Sequence, residues 1–483
     1  MEDRNARWET VVGLETHVEL ATRSKLFCSC SAAFGTPPNQ NCCPLCLGEP
    51  GSRPVLNEEA VELAVRAALA LGCRVETVSA FDRKHYSSPD LPRGYQITQF
   101  YRPLARDGAV RFTPEDGRER TVRIAEMHLE DDAGRRFHDR ERGCTCIDFN
   151  RSGVPLIEIV TRPDFSTGDE VVAYLEELRS ILTYLEVSDC KLQEGSLRCD
   201  VNLSVRPVGG TELGTRTEMK NLGSLRAIRK AVAFERERQI RLLESGGQVV
   251  QETRRWDEDT EQSLPMRAKE DARDYRYLPE PDLPELVLSQ SWVDDLRRQQ
   301  PELAAQKRER YMERFGLSAY EAGTLTRERA LAEYFEQTVA CGAPAGRAAA
   351  WIMGQVLRQL SRRGWGSGQI SLSPATLARI IGMVEQGKIS RAAGVQVLDG
   401  VFEGGDPEQY VAERALGLVS DTGVVDEGVQ KVLVSHPRAV AEFREGKEKA
   451  FGFLMGQVMH VLHGKAAPGT VRRILRERLN EMG

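Results

Sequence analysis

Acidic and imidazole side chains alternate with apolar residues in several short segments of this chain. Between residues 11 and 20, Glu15, His17 and Glu19 occupy every second position. In a β-strand this spacing puts the three polar groups on one face, about 7 Å apart. Residues 123–130 repeat the pattern with Glu126, His128 and Glu130. Because Mg²⁺ prefers carboxylate oxygens and bridges them to phosphates, the pattern predicts a sheet face that holds a metal ion and a nucleotide.

Further segments extend this predicted face. One side of residues 199–205 carries Asp200, Asn202 and Ser204, and one side of residues 215–220 carries Arg216, Glu218 and Lys220. Glu158 interrupts the apolar run 154–160 and is the strongest single candidate for a non-structural acid, since a buried carboxylate needs a partner. The basic side chains that we expect to hold phosphate oxygens are Lys220, Arg216, Arg198 and Arg151.

The alternative interpretation is an ordinary half-buried antiparallel sheet with one solvated face, which Glu19 and Glu126 fit equally well. A solvated face usually mixes Lys, Thr, Arg and Ser with its acids, whereas acids and histidines dominate these segments. Like charges on neighbouring strands repel, and a bound cation removes that repulsion. We therefore favour the face that binds metal and nucleotide.

Five of the eleven cysteines fall between residues 28 and 46. Cys28, Cys30, Cys43 and Cys46 form two close pairs, which is the ligand set of a structural zinc site with about 2.3 Å per Zn–S bond. Four sulfurs leave no open coordination position, so a catalytic zinc is not expected, and Cys42 is the spare thiol. The alternative is a chance cluster of buried thiols. An odd cysteine count without an export signal favours reduced thiols over disulfides.

Length and composition exclude several classes of protein. The 483 residues carry a net charge of −6, with 41% hydrophobic and 29% charged residues, which is typical of folded globular domains. No apolar stretch reaches the roughly 18 residues of a membrane span, and the charged start lacks an apolar signal region. We therefore expect a cytoplasmic protein without a membrane partner. The phosphate-binding loop motif and the serine-hydrolase elbow motif are missing, so any ATP chemistry must use the acidic sheet face.

Two breaks divide the elements that position these residues. Residues 277–284 contain three prolines, and residues 403–407 form a turn cluster. Strand-like segments and a few helices precede the first break, and helical periodicity dominates after it, so the fold class is predicted to be α+β. The predicted domains are residues 1–292, 293–405 and 406–483.

Helices are predicted from apolar spacing and from their end signals. Asn57 can cap a helix over residues 58–71, with Gly72 as its stop. A terminal helix has an apolar stripe on one face and Arg472, Arg473 and Arg476 on the other. Residues 441–483 contain eight basic and five acidic side chains. This surplus of positive charge is modest, and an ordinary charged helix face would explain it. The simplest physical role for it is to bind the phosphate backbone of a partner.

Eight segments, in order along nearly the whole chain, resemble the B subunits of tRNA-dependent amidotransferases. They are residues 13–20 (GLETHVEL), 41–48 (NCCPLCLG), 90–97 (DLPRGYQI), 128–134 (HLEDDAG), 150–159 (NRSGVPLIEI), 194–202 (EGSLRCDVN), 217–221 (TEMKN) and 274–284 (DYRYLPEPDLP). Eight colinear motifs of this length make the resemblance specific.

The resemblance implies a glutamine-synthetase-like, largely antiparallel cradle domain, followed by an all-α helical domain and a small all-α tail that contacts tRNA. It implies a protein that uses ATP and Mg²⁺ to phosphorylate the side-chain carboxylate of misacylated Glu-tRNA(Gln), and often of Asp-tRNA(Asn). Ammonia that an amidase A subunit releases from glutamine then displaces the phosphate. A small C subunit completes the implied heterotrimer.

By motif, the resemblance also implies roles for individual residues. The implied catalytic residues are His17, Glu130 and Asp200, the implied Mg²⁺ ligands are Glu15, His17, Glu130 and Glu218, and the implied Zn²⁺ ligands are Cys28, Cys30, Cys43 and Cys46. Arg198 and Lys220 as contacts to the nucleotide phosphates are our inference from the residues themselves. Asp131 follows Glu130 where the family commonly has a second Glu, which leaves open which acid binds metal.

Two other functions compete with this one. A glutamine-synthetase-like ligase for a free amino acid would use the same sheet chemistry, although the long helical part favours a large substrate. A zinc-stapled, non-catalytic tRNA adaptor would need its carboxylates only as surface groups. The sequence leaves open whether Glu-tRNA, Asp-tRNA or both are the substrate, and where the A and C subunits dock.

Overall fold

The computed structural model describes residues 7–139, 141–266, 275–417, 422–462, 466 and 468–481. Asp274 of the proline-rich motif, Lys465 of the basic tail and the charged start at residues 1–6 lie outside the described residues. The chain divides into two compact units, residues 1–303 and 304–483.

The first unit is built on one large sheet. The described strands of this unit, in the large sheet and in smaller ones, are β1 (Trp8–Glu19), β2 (Arg74–Val75), β3 (Val78–Ser79), β4 (Asp82–His85), β5 (Tyr95–Thr98), β6 (Ala105–Phe112), β7 (Arg120–Asp131), β8 (Arg135–Asp139), β9 (Cys144–Asp148), β10 (Pro155–Thr161), β11 (Leu197–Pro207), β12 (Thr217–Lys220), β13 (Thr253–Asp257), β14 (Gln262–Pro265), β15 (Arg276–Pro279) and β16 (Leu286–Val287). Nine of these described strands form the sheet, in the order β14-β13-β12-β11-β1-β10-β7-β6-β2. The neighbours are antiparallel except for the parallel pair β12 and β13.

The central strand β1 follows the predicted alternation. Val12, Leu14 and Val18 are buried on one face, where the period of two demands apolar residues. On the other face, Glu15 lies opposite Asp200 of β11, and His17 lies opposite Glu158 of β10. The register of three strands therefore brings acids from distant parts of the sequence side by side.

The helices of the first unit are α1 (Glu58–Ala70), α2 (Gly168–Tyr184), α3 (Leu225–Glu244) and α4 (Gln290–Arg298). The predicted cap of the first helix is confirmed, since Asn57 Oδ1 accepts hydrogen bonds from the backbone N–H groups of Glu59 and Ala60. Gly72, with φ +68°, follows the helix in the left-handed conformation that favours glycine. The boundary predicted between residues 292 and 293 falls within α4, whose Val293 and Leu296 are buried in the core of the first unit.

A buried carboxylate ties α3 to the sheet. Glu235 has no exposed surface, and its Oε1 accepts a hydrogen bond from Thr217 Oγ1 of β12 at 2.8 Å. Arg238 Nε donates to Glu235 Oε2 at 2.9 Å, and Ser263 Oγ of β14 donates to the same oxygen at 2.9 Å. Because every partner is itself held by the helix or the sheet, this network fixes the strand that carries Glu218.

The proline-rich segment predicted to exclude a central strand contributes only an edge strand. β15 pairs with β4 in a small sheet of order β15-β4-β5. Phe100 stacks on Tyr277 at 3.8 Å between ring centroids, and Lys84 Nζ lies 5.1 Å from the centroid of the Tyr275 ring. This small sheet therefore brings a cation and several aromatic rings together.

The described elements of the second unit are helical, apart from one isolated bridge between Ile389 and Gly417. The helices are α5 (Ala304–Phe315), α6 (Ala319–Leu325), α7 (Arg329–Ala340), α8 (Ala345–Trp351), α9 (Leu357–Arg363), α10 (Pro374–Glu385), α11 (Arg391–Val401), α12 (Pro407–Glu413), α13 (Thr422–Ser435), α14 (Pro437–Arg444), α15 (Glu448–Val461) and α16 (Pro468–Glu481). A single π-helical segment, Ile352–Val356, joins α8 to α9. Separate apolar cores lie within residues 311–402 and within residues 425–479.

The mixed fold class is confirmed in its coarse form, because a large, largely antiparallel sheet precedes a mostly helical region. The glutamine-synthetase-like character of the sheet and the three-domain division stay predictions. The apolar stripe of the terminal helix is confirmed in α16, with Arg472, Arg473 and Arg476 on its exposed face. Among the described helices, none combines the length and the apolar character that a membrane crossing requires.

Candidate active site

One group of side chains joins three neighbouring strands of the large sheet. His17 Nε2 of β1 lies 3.8 Å from Glu158 Oε1 of the neighbouring strand β10 and 3.4 Å from Glu130 Oε1 of β7, the next strand along. One ligand atom from each of the three residues lies within 4.8 Å of the others. We call His17, Glu130 and Glu158 the imidazole cluster.

The two acids of the imidazole cluster differ in their electrostatics. Burial, followed by repulsion from Glu158, raises the pKa of Glu130. Burial alone would raise the pKa of Glu158 too, but His17, His128 and Lys84 outweigh it and lower that pKa. Glu130 Oε1 is buried and accepts no hydrogen bond from any described residue. An orphaned carboxylate oxygen beside a second acid is the arrangement that a divalent cation satisfies.

A second group lies beside it on the same face. Glu15 of β1, Asp200 of β11 and Glu218 of β12 also bring one oxygen each within 4.8 Å of one another. Lys220 Nζ donates to Asp200 Oδ2 at 2.5 Å and lies 2.8 Å from Glu218 Oε1. Burial raises the pKa of Glu15, and repulsion from Glu158 and Glu218 adds to the effect. We call Glu15, Asp200 and Glu218 the carboxylate cluster.

The side chain of Asn202 completes this second cluster. Asn202 Nδ2 donates to Glu15 Oε1 at 2.9 Å, and Thr253 Oγ1 of β13 donates to Glu218 Oε2 at 2.7 Å. Lys220, despite the opposing effect of burial, lowers the pKa of Glu218. These bonds orient the acids and engage both oxygens of Glu218 but only one oxygen of Glu15.

Three of the four basic side chains predicted to hold phosphate oxygens, Lys220, Arg198 and Arg151, contact acids. Lys220 contacts the carboxylate cluster, and Arg198 Nη2 donates to Asp132 Oδ2 at 2.7 Å. Arg198 Nε is buried without an acceptor among the described residues. Arg151 Nε lies 3.3 Å from the same Asp132 oxygen, whereas Arg216 is exposed just before β12. Burial, aided by Asp132, raises the pKa of neighbouring Glu19 to about 7.

The structure distinguishes Glu130 from Asp131. Successive residues of β7 point to opposite faces, so Glu130 faces His17, while Asp131 forms an ion pair with Arg93 on the other side. Asp131 Oδ1 also accepts a hydrogen bond from the backbone N–H of Ile97 at 2.8 Å. Glu130 is therefore the acid that stands beside the other candidate metal ligands.

The four predicted zinc ligands lie together. Cys28, Cys30, Cys43 and Cys46 bring their sulfurs within 4.8 Å of one another. Cys46 Sγ is 3.6 Å from Cys28 Sγ and 3.7 Å from Cys43 Sγ. A tetrahedral zinc with bonds of about 2.3 Å requires about 3.8 Å between sulfurs, so the donor set fits zinc. Cys42 lies outside the cluster, with its Sγ 3.8 Å from Asn150 Oδ1.

Sequence reasoning missed Lys84 and Asp132. Lys84 reaches the imidazole cluster from the small sheet. Burial alone would lower the pKa of Lys84, but the charges of Glu130 and Glu158 outweigh it and raise that pKa. Its segment shows no acidic alternation, so no local signal marks it. Asp132 lies in the HLEDDAG motif. The signal that could have identified it is the presence of Arg151 and Arg198, which contact it and need an acidic partner. Glu158 was singled out from its apolar surroundings but was not assigned to the metal set that includes His17 and Glu130.

Comparison with known proteins gives one consistent result. Residues 10–294 match the family model of the GatB/GatE catalytic domain, and residues 333–479 match that of the GatB domain. The chain is 47% identical over 476 residues to the B subunit of the aspartyl/glutamyl-tRNA(Asn/Gln) amidotransferase of Lachnoclostridium phytofermentans, across 98% of this chain and 99% of that protein. Proteins with the same name from Caldicellulosiruptor bescii (49% identical over 479 residues) and Moorella thermoacetica (48% over 475 residues) match across 98% of this chain and 100% of their own length.

The matched family region contains both acidic clusters and the cysteines, and the relatives match from one end to the other. The predicted resemblance is thereby confirmed. The chain belongs to the GatB family, the B subunits of aspartyl/glutamyl-tRNA(Asn/Gln) amidotransferases.

Proposed function

We propose that this chain uses Mg-ATP to phosphorylate the side-chain carboxylate of glutamate or aspartate misacylated to tRNA, and then amidates it. In the first step a carboxylate oxygen attacks the γ-phosphorus of ATP, and the bond to the ADP oxygen breaks. In the second step ammonia attacks the carbonyl carbon of the acyl phosphate, phosphate leaves, and the nitrogen loses a proton. The products are ADP, phosphate and Gln-tRNA(Gln) or Asn-tRNA(Asn).

The observation that carries this proposal is the pair of acidic clusters on one sheet face. Glu15 and His17 stand two positions apart on β1, a spacing of about 7 Å along a strand, and each belongs to a different cluster. Two adjacent sites with five acids between them suit divalent ions that bind a triphosphate. Mg²⁺ bound there would neutralise charge on the phosphates.

The chain's own residues divide the remaining work. His17 and Glu130 are the proposed metal ligands in the imidazole cluster, and Glu15 and Glu218 are the proposed metal ligands in the carboxylate cluster. Lys220 has three N–H donors, two of which contact Asp200 and Glu218, so the third can reach a phosphate oxygen. Arg198 keeps donors beyond its bond to Asp132 and neutralises charge at the transferred phosphoryl group. Asp200, held by Lys220, is the group that we assign to orient the attacking species.

The proposal includes the rest of the complex. We assign ammonia release to an amidase A subunit with a small C subunit, because the relatives are each named as the B subunit of a larger enzyme. The exposed arginines of α16 are the proposed contact to the tRNA backbone, although Arg473 also pairs with Glu477 at 3.0 Å. The cysteine cluster is the proposed structural zinc site.

Trapping of the acyl phosphate tests the proposal directly. The complex would be incubated with ATP and Glu-tRNA(Gln) or Asp-tRNA(Asn) without an amide donor, and hydroxylamine would convert the acyl phosphate to a hydroxamate. We expect Glu15→Gln and Asp200→Asn to reduce hydroxamate and ADP formation by about 100-fold or more. Glu9→Gln is the matched control, since Glu9 lies on the same face of β1 but pairs with Arg206 at 2.8 Å.

The two competing functions predict different results. A tRNA adaptor without catalysis would show unchanged hydroxamate in both active-site variants, and a free-amino-acid ligase would form hydroxamate from glutamate without tRNA. Either result would overturn the proposal. Equal loss in the Glu9→Gln control would show that the effect comes from general damage to the sheet.

A further inference from the structure

Lys25 is a fully buried lysine beside the cysteine cluster. Its side chain has three acceptors: Nζ donates to Asn41 O at 2.7 Å, to Phe149 O at 3.2 Å and to Cys46 Sγ at 3.3 Å. Lysine is almost never fully buried without a charged partner, and neutral carbonyls alone seldom hold an ammonium in a dry site. The sulfur of Cys46 is therefore the partner that explains the position of Lys25.

Charge explains why such a partner is needed. Zn²⁺ bound by four thiolates carries a net charge of −2, and Cys46 is the most buried of the four cysteines. A hydrogen bond from an ammonium to a thiolate lowers the charge on sulfur, and with it the tendency to take up a proton or attack an electrophile. We infer that Lys25 is a charge-compensating hydrogen-bond donor to Cys46 that slows zinc release. This inference rests on the proposed zinc site.

The other two hydrogen bonds of Lys25 connect two separate segments of the chain. Asn41 belongs to the cysteine-rich loop, whereas Phe149 belongs to the segment that leads into β10 and Glu158. The backbone N–H of Leu26 also donates to Gly153 O at 2.8 Å, beside the same segment. Lys25 thus joins the zinc site to the chain that carries the imidazole cluster. It is a positioning residue and touches no candidate substrate site.

Zinc release from the full chain tests the inference. Wild type, Lys25→Met, Lys25→Gln and Ser152→Ala would be loaded with zinc, their metal content measured, and release to a chromogenic chelator followed with time. We expect both Lys25 variants to release zinc about 10- to 100-fold faster than wild type, the usual cost of losing an outer-shell partner. Alkylation of the zinc-loaded cysteines by iodoacetamide should accelerate in parallel.

Ser152→Ala is the matched control. Ser152 Oγ donates to the backbone oxygen of Cys46 at 3.3 Å, so its loss disturbs the same residue without touching the sulfur, and release should stay at the wild-type rate. Lys25→Gln keeps N–H donors for the two carbonyls and decides the question if Lys25→Met does not fold.

The outcomes separate the two proposals. Wild-type protein without zinc would refute the zinc site and the role of Lys25 with it. Zinc-loaded wild type, with release from Lys25→Gln no faster than from Ser152→Ala, would leave the site standing and overturn the inference. Failure of both Lys25 variants to fold, while Ser152→Ala folds, would show that Lys25 acts on folding and would likewise overturn it.

Discussion

Lys220 and Asp200 lie on neighbouring strands β12 and β11, and the lysine ammonium donates to Asp200 Oδ2 at 2.5 Å. The same ammonium lies 2.8 Å from Glu218 Oε1, so one cation separates two acids of the carboxylate cluster. A basic side chain therefore stands where like charges would otherwise meet. If a metal ion binds this cluster as proposed, Lys220 and the ion share the task of offsetting the repulsion between Asp200 and Glu218.

Replacing this lysine should make the fold depend on divalent ions. In Lys220→Met, Asp200 and Glu218 lose their shared partner, so we expect the free energy of unfolding without Mg²⁺ to fall by about 1 kcal/mol. Added Mg²⁺ should then raise the melting temperature of the variant more than that of wild type. Lys191→Met is the control, because Lys191 pairs with exposed acids outside the site. Equal shifts in all three proteins would show that Mg²⁺ does not bind the cluster.

Glu130 and Asp131 should respond differently to loss of their charge. Glu130→Gln removes an acid from the imidazole cluster, and we expect binding of Mn²⁺, followed by electron paramagnetic resonance, to weaken about 10-fold or more. Asp131→Asn should leave Mn²⁺ affinity unchanged but lower the free energy of unfolding by about 2 kcal/mol, since Arg93 loses its partner. The reverse pattern would identify Asp131 as the metal ligand.

The proposed zinc site divides the five cysteines of residues 28–46 into four ligands and a spare. Metal analysis of Cys46→Ser should find that bound zinc is lost, because a serine oxygen does not replace a buried thiolate. Cys42→Ser should retain one zinc per chain, since Cys42 Sγ contacts Asn150 and not the other sulfurs. Loss of zinc from Cys42→Ser would mean that the ligand set is assigned wrongly.

The Glu235 network makes stability depend on pH. Burial alone would raise the pKa of Glu235, but its bonds to Arg238, Thr217 and Gln239 outweigh it and lower the pKa below the usual 4.5. Its contribution is therefore complete above pH 4.5 and is lost as pH falls through the lowered value in the folded state. We expect Glu235→Gln to cost about 3 kcal/mol at pH 7.

Urea unfolding at a series of pH values measures this effect. The gap in unfolding free energy between wild type and Glu235→Gln should narrow as the solution becomes more acidic than the usual carboxyl pKa. A gap that stays constant down to acid pH would show that the carboxylate charge contributes nothing to the network.

The exposed arginines of α16 should act through charge. We expect Arg472→Glu with Arg473→Glu to weaken tRNA binding about 10-fold at low salt and to flatten its salt dependence, because phosphate contacts release counterions. Lys388→Glu with Arg391→Glu makes the same charge change at exposed positions outside α16. If both double variants weaken binding equally, the effect reflects net charge and the tail has no special role.

Local patterns in the sequence predicted the parts of the site that lie on one strand. The spacing of Glu15, His17 and Glu19 placed them on one face of β1, and the spacing of the cysteines placed four sulfurs together. Which acids meet across strands depends on register between segments far apart in the chain. No single segment contains that information, so the separation of Glu15 from His17 into two clusters was not predictable.

The same limit applies to residues that arrive from other layers. Lys84 approaches the imidazole cluster from a separate small sheet. Glu235 lies on α3 and forms hydrogen bonds with residues of the large sheet. Each depends on tertiary packing, which overrides any local signal. The Asn57 cap of α1 and the apolar stripe of α16, by contrast, are each properties of one element and were predicted correctly.

The cysteine cluster and the sheet differ in the sequence separation of the residues that they bring together. Cys28 and Cys46 are 18 residues apart, whereas Asn202, which bonds Glu15, comes 187 residues after it. Closing a short loop costs less chain entropy and is faster than pairing distant strands. During synthesis the cysteine loop can therefore close while β10 and β11 are still unmade. The loop that follows β1 in the chain can thus be in place before the two strands that flank β1 in the sheet are made.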